Sequence, residues 1–330
     1  MPEYVATTPG LFPLPDWAKE SLSDLKGHQK HDLIGGDESD AIVDEYDAAR
    51  AELVETQTAA GLDRVVEGQL RWDDMLAHPL AVHDAVETRG IVRYYDNNNF
   101  YRDPAVVEPL TPSGDVAAEL EAAAALTDAP LQAVLPGPYS LADLATDEHY
   151  GDEAAFVEAV GEFLAGEVGA FPDAETLFLL EPSLVSRPPD DATRPVAADA
   201  IAAVSDAFDG EVVVHGYWGA YDEATHAALL DAPVDAIGYD LVSAPEAAAA
   251  LVREQGTADS VALGVVDGQN TLVETPEGVR EQVAWFESQL DAAPERVYVA
   301  PNTELFYLPV SKAEAKLAVL GEAARPEVAA

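Results

Sequence analysis

Seven apolar runs of this 330-residue chain end on residues that can hold a proton or grip a ligand. In order these are Gln69 with Arg71 and Asp74, Pro136-Gly137-Pro138-Tyr139-Ser140, Glu181-Pro182, His215 with Tyr217, Asp240, Asp267 with Asn270, and Asn302-Thr303-Glu304. His215, which closes the run EVVVH, has the most possible uses. An imidazole there could ligate a metal, act as acid or base, contact a substrate, or pack in a core. Glu181 and Asp267 could equally cap the helices that follow them. Ser140 could cap a helix whose turn the two prolines set. Asp240 precedes Leu241-Val242, where capping is less natural. Capping alone does not account for polar residues at so many successive run ends.

These residues need a frame that gathers strand ends. Strands are expected at Tyr4–Thr8, Arg64–Glu67, Gln132–Leu135, Leu177–Leu180, Val212–His215, Ala236–Tyr239, Ala262–Val266 and Val297–Ala300. Between them, apolar spacings of three and four predict helices at Glu38–Ala60, Val116–Leu126, Glu153–Glu167, Arg194–Phe208, Ala220–Leu230, Pro245–Gln255, Pro276–Leu290 and Ser311–Leu320. Strand and helix in regular alternation call for a parallel sheet with helical crossovers. The strands are apolar on both faces, as a sheet covered by helices requires. A single (β/α)8 TIM-type barrel over residues 1–330 is the expected fold. A doubly wound open sheet is the alternative, without the Gly-rich phosphate fingerprint of its dinucleotide-binding form. In a barrel the seven polar groups would converge on the C-terminal rim. Residues 68–112 are irregular and predict a long loop or small subdomain, a feature that is usually functional.

Composition narrows the chemistry. Acidic residues number 62 against 17 basic ones, for a net charge of −45. The acids are spread through every segment rather than gathered in a tail, which points to a surface adapted to high salt. In molar salt the Debye length falls to about 3 Å and carboxylate repulsion is screened. A basic partner is the other reading of the charge. No basic stripe exists to meet the phosphates of a nucleic acid. With no cysteine there is no disulfide, no thiolate metal site and no cysteine nucleophile. The chain opens without a basic, apolar leader and has no apolar run long enough to span a bilayer, so a cytoplasmic protein without membrane partners is expected.

Five motifs in order resemble cobalamin-independent methionine synthase. Tyr94-Tyr95-Asp96-Asn97-Asn98-Asn99-Phe100-Tyr101, with Pro104 beyond, is similar to the family's W-F-D-T-N-Y-H-Y and matches it at Asp96 and Asn98. Leu263 through Asn270 resembles L-G-V-V-D-G-R-N, with Gln269 for arginine. Ala300 through Pro309 resembles A-P-S-C-S-L-L-H-V-P. LPGPYSL and Glu181-Pro182 resemble the G-P-x-T/S-x-L turn and the E-P of the next strand end. The likeness runs from about residue 7 to 310 and is closer to the N-terminal of the two homologous barrels in the full-length enzyme.

The resemblance implies methyl transfer to homocysteine from a methyl-tetrahydropterin or another methylated carrier. It implies substrate contacts at Asp96, Asn98, Glu181, Asp267, Asn270 and Thr303. The family's zinc ligands, H-x-C, a glutamate and a final cysteine, fall on His215, Tyr217, Asp240 and Thr303. Both sulfur donors are gone. His215 and Asp240 are residual metal positions, and the remaining donors make a poor zinc set. His215, Asp240 and Tyr217 remain the candidates for catalysis, with His215 bonded to substrate or paired with Asp240. No cofactor is therefore expected in this chain, and a homologous zinc-bearing barrel is the expected partner. A non-catalytic pterin- or substrate-binding scaffold is the alternative. A tetrapyrrole decarboxylase would want clustered cations, whereas Arg71, Arg93, Arg102 and Arg187 are scattered.

Overall fold

A computed structural model describes residues 2–23, 38–93, 95 and 100–325. Its strands are β1 Glu3–Ala6, β2 Val86–Arg93, β3 Phe100–Val106, β4 Gln132–Pro136, β5 Thr146–Asp147, β6 Thr176–Leu180, β7 Glu211–His215, β8 Ala236–Asp240, β9 Ser260–Val266 and β10 Arg296–Pro301. Seven of them form one parallel sheet in the order β1-β10-β9-β8-β7-β6-β4. Strands β4, β6, β8 and β9 are buried along their whole length, because helices cover the outer face and side chains fill the inner one. Each large aliphatic side chain so buried contributes about 1.5–3 kcal/mol.

The expected strand Arg64–Glu67 needs a correction. It lies between β1 and β4 and closes the barrel, yet it makes only one ladder bridge, Val65 with Leu131. Asp63 N and Arg64 N donate to Ala6 O at 2.9 and 3.3 Å. A side chain supplies the missing ladder. Gln57, on the helix Asp40–Ala60, donates from Nε2 to Val66 O at 2.8 Å, and its Oε1 accepts from Val66 N at 3.0 Å. Both buried main-chain groups are thus satisfied without a neighbouring strand. The (β/α)8 barrel closes through main-chain bonds of residues 63–65 to Ala6 and to residues 130–132, with Val66 held by Gln57.

Within residues 68–112 the chain forms the short helix His78–Ala81 and an antiparallel hairpin of β2 and β3. A parallel pairing of β3 with β5 ties the hairpin to the body. Strand β2 is exposed over nearly all its length. Tyr101 anchors β3 by donating its hydroxyl to Leu144 O at 2.9 Å. Among the described residues no helix is long and apolar enough to cross a membrane.

Candidate active site

Three strand ends are knotted together at the C-terminal mouth. His215 Nε2 lies 2.8 Å from the main-chain oxygen of Asn302, across the barrel from β7 to the end of β10. A carbonyl only accepts, so Nε2 carries the proton and Nδ1 is bare. Burial holds the imidazole below its ordinary pKa, against the opposing pull of the Asn302 carbonyl and Asp240. Asn302 Nδ2 donates to both Asp240 oxygens at 3.2 Å. Asp240 also accepts from Trp218 N at 2.8 Å, Val242 N at 3.0 Å and Ser243 N at 2.8 Å. Asp240 does not cap the helix Pro245–Gln255; its carboxylate closes the turn after β8. It is joined to His215 through Asn302, with Asn302 as the shared partner.

Beside the knot stands Glu304, a buried carboxyl. Tyr217 donates its hydroxyl to Glu304 Oε1 at 3.0 Å, and both residues are 0% exposed. Glu304 Oε2 is buried with no partner. Burial, reinforced by the charge of Asp74, pushes the Glu304 carboxyl up to about 8, against the Tyr217 hydroxyl and a main-chain bond that favour ionisation. Burial and Glu304 together hold the Tyr217 phenol well above its usual value. Thr303 is buried too, its hydroxyl donating to Glu304 O at 3.3 Å.

Glu181, at the end of β6, has a different setting. It caps the helix Pro138–Leu144, accepting from Tyr139 N at 3.0 Å, Ser140 N at 2.8 Å and the Ser140 hydroxyl at 2.6 Å. Ser140 is thus capped rather than capping. Gly137 is required there, since a β-carbon would lie 2.2 Å from the Glu181 carboxyl carbon. Burial raises Glu181 to about 7 despite its three donors. Nearby, Tyr95 donates to Ser183 Oγ at 2.8 Å, and Ser183 Oγ to Asp143 at 2.6 Å, which brings the hairpin side against the mouth.

The remaining expected contacts are less centred. Asp267 is half-buried and accepts from Gln269 N at 2.9 Å. Asn270 is exposed, its side-chain oxygen taken by Leu272 N at 3.0 Å. Asp96 and Asn98 lie outside the described residues. Glu304 and Asn302 were read only as part of a polar strand end. Glu304 lies three residues beyond the end of β10, after a register shift between Ala300 and Pro301, where the alternation of a strand no longer applies. A second signal is backbone strain. Leu11, Gln69, Tyr95 and Trp218, all non-glycine, have φ of 30°, 52°, 36° and 66°. Leu11, Gln69 and Trp218 follow barrel strand ends, and such outliers at about 1–3 kcal/mol each gather at functional sites.

The residues that the resemblance aligns with the family's zinc ligands are otherwise engaged. His215 has spent Nε2 on a carbonyl, and Nδ1 abuts Gly238, where a β-carbon would lie 2.2 Å away. Asp240 is saturated by three main-chain donors and an amide. The phenol of Tyr217 is held protonated against Glu304. Among the described residues no group of three or more His, Asp or Glu is placed to hold a metal ion.

The cobalamin-independent synthase family, in its catalytic domain, matches residues 7–326. A methionine synthase of Saccharolobus solfataricus is 25% identical, covering 98% of this chain and 94% of the relative. One from Sulfurisphaera tokodaii is 24% identical over 96% of this chain and 90% of its own length. In structure, the chain is similar to a B12-independent methionine synthase of Shewanella sp. W3-18-1, solved with selenomethionine, at a TM-score of 0.79, 19% identity and coverage of 98% and 97%. The likeness to the N-terminal barrel rests on the motifs; the matching family description is that of the catalytic domain. With a match over nearly its whole length, the chain belongs to the cobalamin-independent methionine synthase family of methyltransferases.

Proposed function

We propose that this chain is a methyltransferase component of methionine biosynthesis that works beside a separate, zinc-bearing barrel of the same family. One observation carries the reading. By the resemblance Tyr217 and Thr303 fall at the two sulfur-ligand positions, and the Tyr217 hydroxyl is bonded to Glu304. Methyl transfer to a thiol requires a thiolate, which zinc in the companion would hold. This chain would bind the small substrates, a methyl-tetrahydropterin or other methylated carrier and homocysteine, at its rim. Asp267, Asn270 and Glu181 would shape that rim, together with Asp96 and Asn98. A non-catalytic scaffold is the second reading, favoured by the saturation of Asp240. The net charge of −45 supports a cytoplasm rich in salt as the working medium.

The test is co-purification in molar potassium chloride, then metal analysis and a methyl-transfer assay from methyl-tetrahydropterin to homocysteine. Each barrel is assayed alone and both together. Methionine should form only with both, and zinc should follow the companion. Turnover by this chain alone, with one tightly held zinc, would overturn the proposal. Binding of the companion without any gain in rate would favour the scaffold.

A further inference from the structure

We propose that, when no companion is present, two copies of this chain pair mouth to mouth. The outer face of the β2–β3 hairpin of each copy lies on the β9–β10 rim of the other. The pairing goes beyond the proposed function and does not depend on it.

The hairpin supplies one half of the contact. Directly opposed residues of an antiparallel pair share a face. Val92 and Tyr101 are opposed, and Tyr101 is buried against the body. The pairs on either side, Ile91 with Arg102 and Arg93 with Phe100, therefore turn the other way, to solvent. Ile91 is 70% and Phe100 55% exposed, with both arginines exposed beside them. Over residues 86–106 Arg89, Arg93 and Arg102 balance Glu87, Asp96 and Asp103, in a chain whose net charge is −45. Apolar side chains between cations fit a surface of apolar side chains between carboxylates. The register shift between Thr88 and Ile91 makes β2 a poor edge for strand addition, so the face is what the hairpin offers.

The chain's own rim supplies the other half. Leu272, in the loop after β9, is 74% exposed, and Tyr307, in the loop after β10, is 41% exposed. Buried Lys316 pins the first loop, donating to Leu272 O at 2.6 Å and to Glu274 at 2.7 Å. The charged residues from 267 to 279 are Asp267, Glu274 and Glu277, without a lysine or arginine. Both complementary surfaces thus belong to one sequence, which selects a second copy as the occupant. Their placement allows the match to be made twice. Around the barrel the strands run 64–67, β4, β6, β7, β8, β9, β10, β1. Tyr101 and Tyr95 tie the hairpin to Leu144 and Ser183, beyond the ends of β4 and β6. The rim follows β9 and β10, which stand across the mouth from those strands. A two-fold axis across the mouth therefore sets each hairpin on the other copy's rim. Doubling the contact matters, since a stable pair buries about 1,200–2,000 Å² in all. In molar salt the repulsion between two acidic chains is screened, which leaves the apolar contacts to hold them.

Sedimentation equilibrium of the intact protein alone, in molar potassium chloride, tests this. The mass should be twice that of one chain. Ile91→Asp strikes the hairpin half and Leu272→Asp the rim half. Each variant damages both contacts of its own dimer and should weaken it at least about tenfold. Both side chains are exposed, so the circular dichroism of each variant should match the parent. Mixed in equal amounts, the two variants should associate several-fold more tightly than either does with itself, because a mixed pair keeps one contact intact. A single-chain mass for the parent, a dimer that both substitutions leave untouched, or a mixture no tighter than its components would each overturn the inference. A chain that stays single by itself and pairs only with the zinc-bearing companion would also overturn it, while leaving the proposed function standing. A dimer behaving as described, with no methyl transfer on adding the companion, would sink the proposed function and keep the pairing.

Discussion

Glu181 and Glu304 are two buried glutamates at the same end of one barrel, yet their surroundings give them opposite tasks. Glu181 accepts three hydrogen bonds and holds a helix to the next strand. Glu304 accepts from Tyr217 and is eased by its own main chain, but its Oε2 has no hydrogen-bond partner. Both are raised by burial, to about 7 and about 8. Burial alone therefore does not separate architecture from function. The count of satisfied partners does, because a saturated carboxylate has nothing left to offer a ligand.

The largest effect should come from breaking the saturated side. Glu181→Ala strands the N–H groups of Tyr139 and Ser140 in a buried site. Each orphaned donor costs about 1–3 kcal/mol, so a loss of about 3–5 kcal/mol is expected in urea unfolding at molar salt. A loss below about 1 kcal/mol would mean that water or another donor replaces the carboxylate and that the contrast with Glu304 is empty.

Gly238→Ala tests the knot between these two regions. Its β-carbon would lie 2.2 Å from His215 Nδ1 and 2.9 Å from His215 Cα. The imidazole would have to leave its place against Asn302 O, and overpacking of this kind costs about 1–3 kcal/mol. Thermal melting reads the loss. A variant as stable as the parent would show that His215 is not confined, and with that the argument against a zinc ligand would weaken.

The pH dependence sharpens the comparison further. The folded protein holds a proton on Glu304 up to about pH 8, whereas an unfolded glutamate releases it near its ordinary value of 4.5. Stability from this group therefore declines as pH rises from 4.5 towards 8 and levels off above. Between pH 6.5 and 9 the decline should be about 2 kcal/mol. Glu181, raised to about 7, adds a smaller decline of the same sign. His215 acts oppositely, since its lowered value destabilises the fold as pH drops below the ordinary histidine value of 6.5. Chemical unfolding from pH 6.5 to 9 should show a slope that Glu304→Gln flattens and leaves unreversed. An unchanged slope in the variant would place the titration elsewhere.

Much of the barrel was legible because its strands are apolar on both faces and its helices repeat with helical spacing. The closing segment 64–67 lies where a strand is expected but makes one bridge only, and the part of Gln57 in holding it carries no local pattern. Residues 68–112, expected as a long loop or small subdomain, hold the β2–β3 hairpin, which no local pattern announces because β2 is exposed along both faces and lacks the alternation that marks a half-buried strand. The ends of β7, β8 and β10 do meet: His215 reaches Asn302 O, Asn302 reaches Asp240, and Tyr217 reaches Glu304. Thr303 rather than Glu304 stands out in the sequence because the resemblance marks it, while Glu304 lies beyond the end of β10 where no strand alternation signals burial.

The smallest expected effect isolates one hydrogen bond. Tyr217→Phe keeps the ring against Trp218 and removes only the hydroxyl that Glu304 Oε1 accepts. A hydrogen bond of this kind is worth about 1 kcal/mol net. The same hydroxyl favours the ionised carboxyl, so its loss should push the Glu304 titration to higher pH. In a double-mutant cycle with Glu304→Ala, measured by melting at pH 7, the two losses should not add, because both changes delete one bond. Simple additivity would mean that Tyr217 and Glu304 act independently. Glu304 would then be a lone buried acid, held by burial rather than oriented by its neighbour.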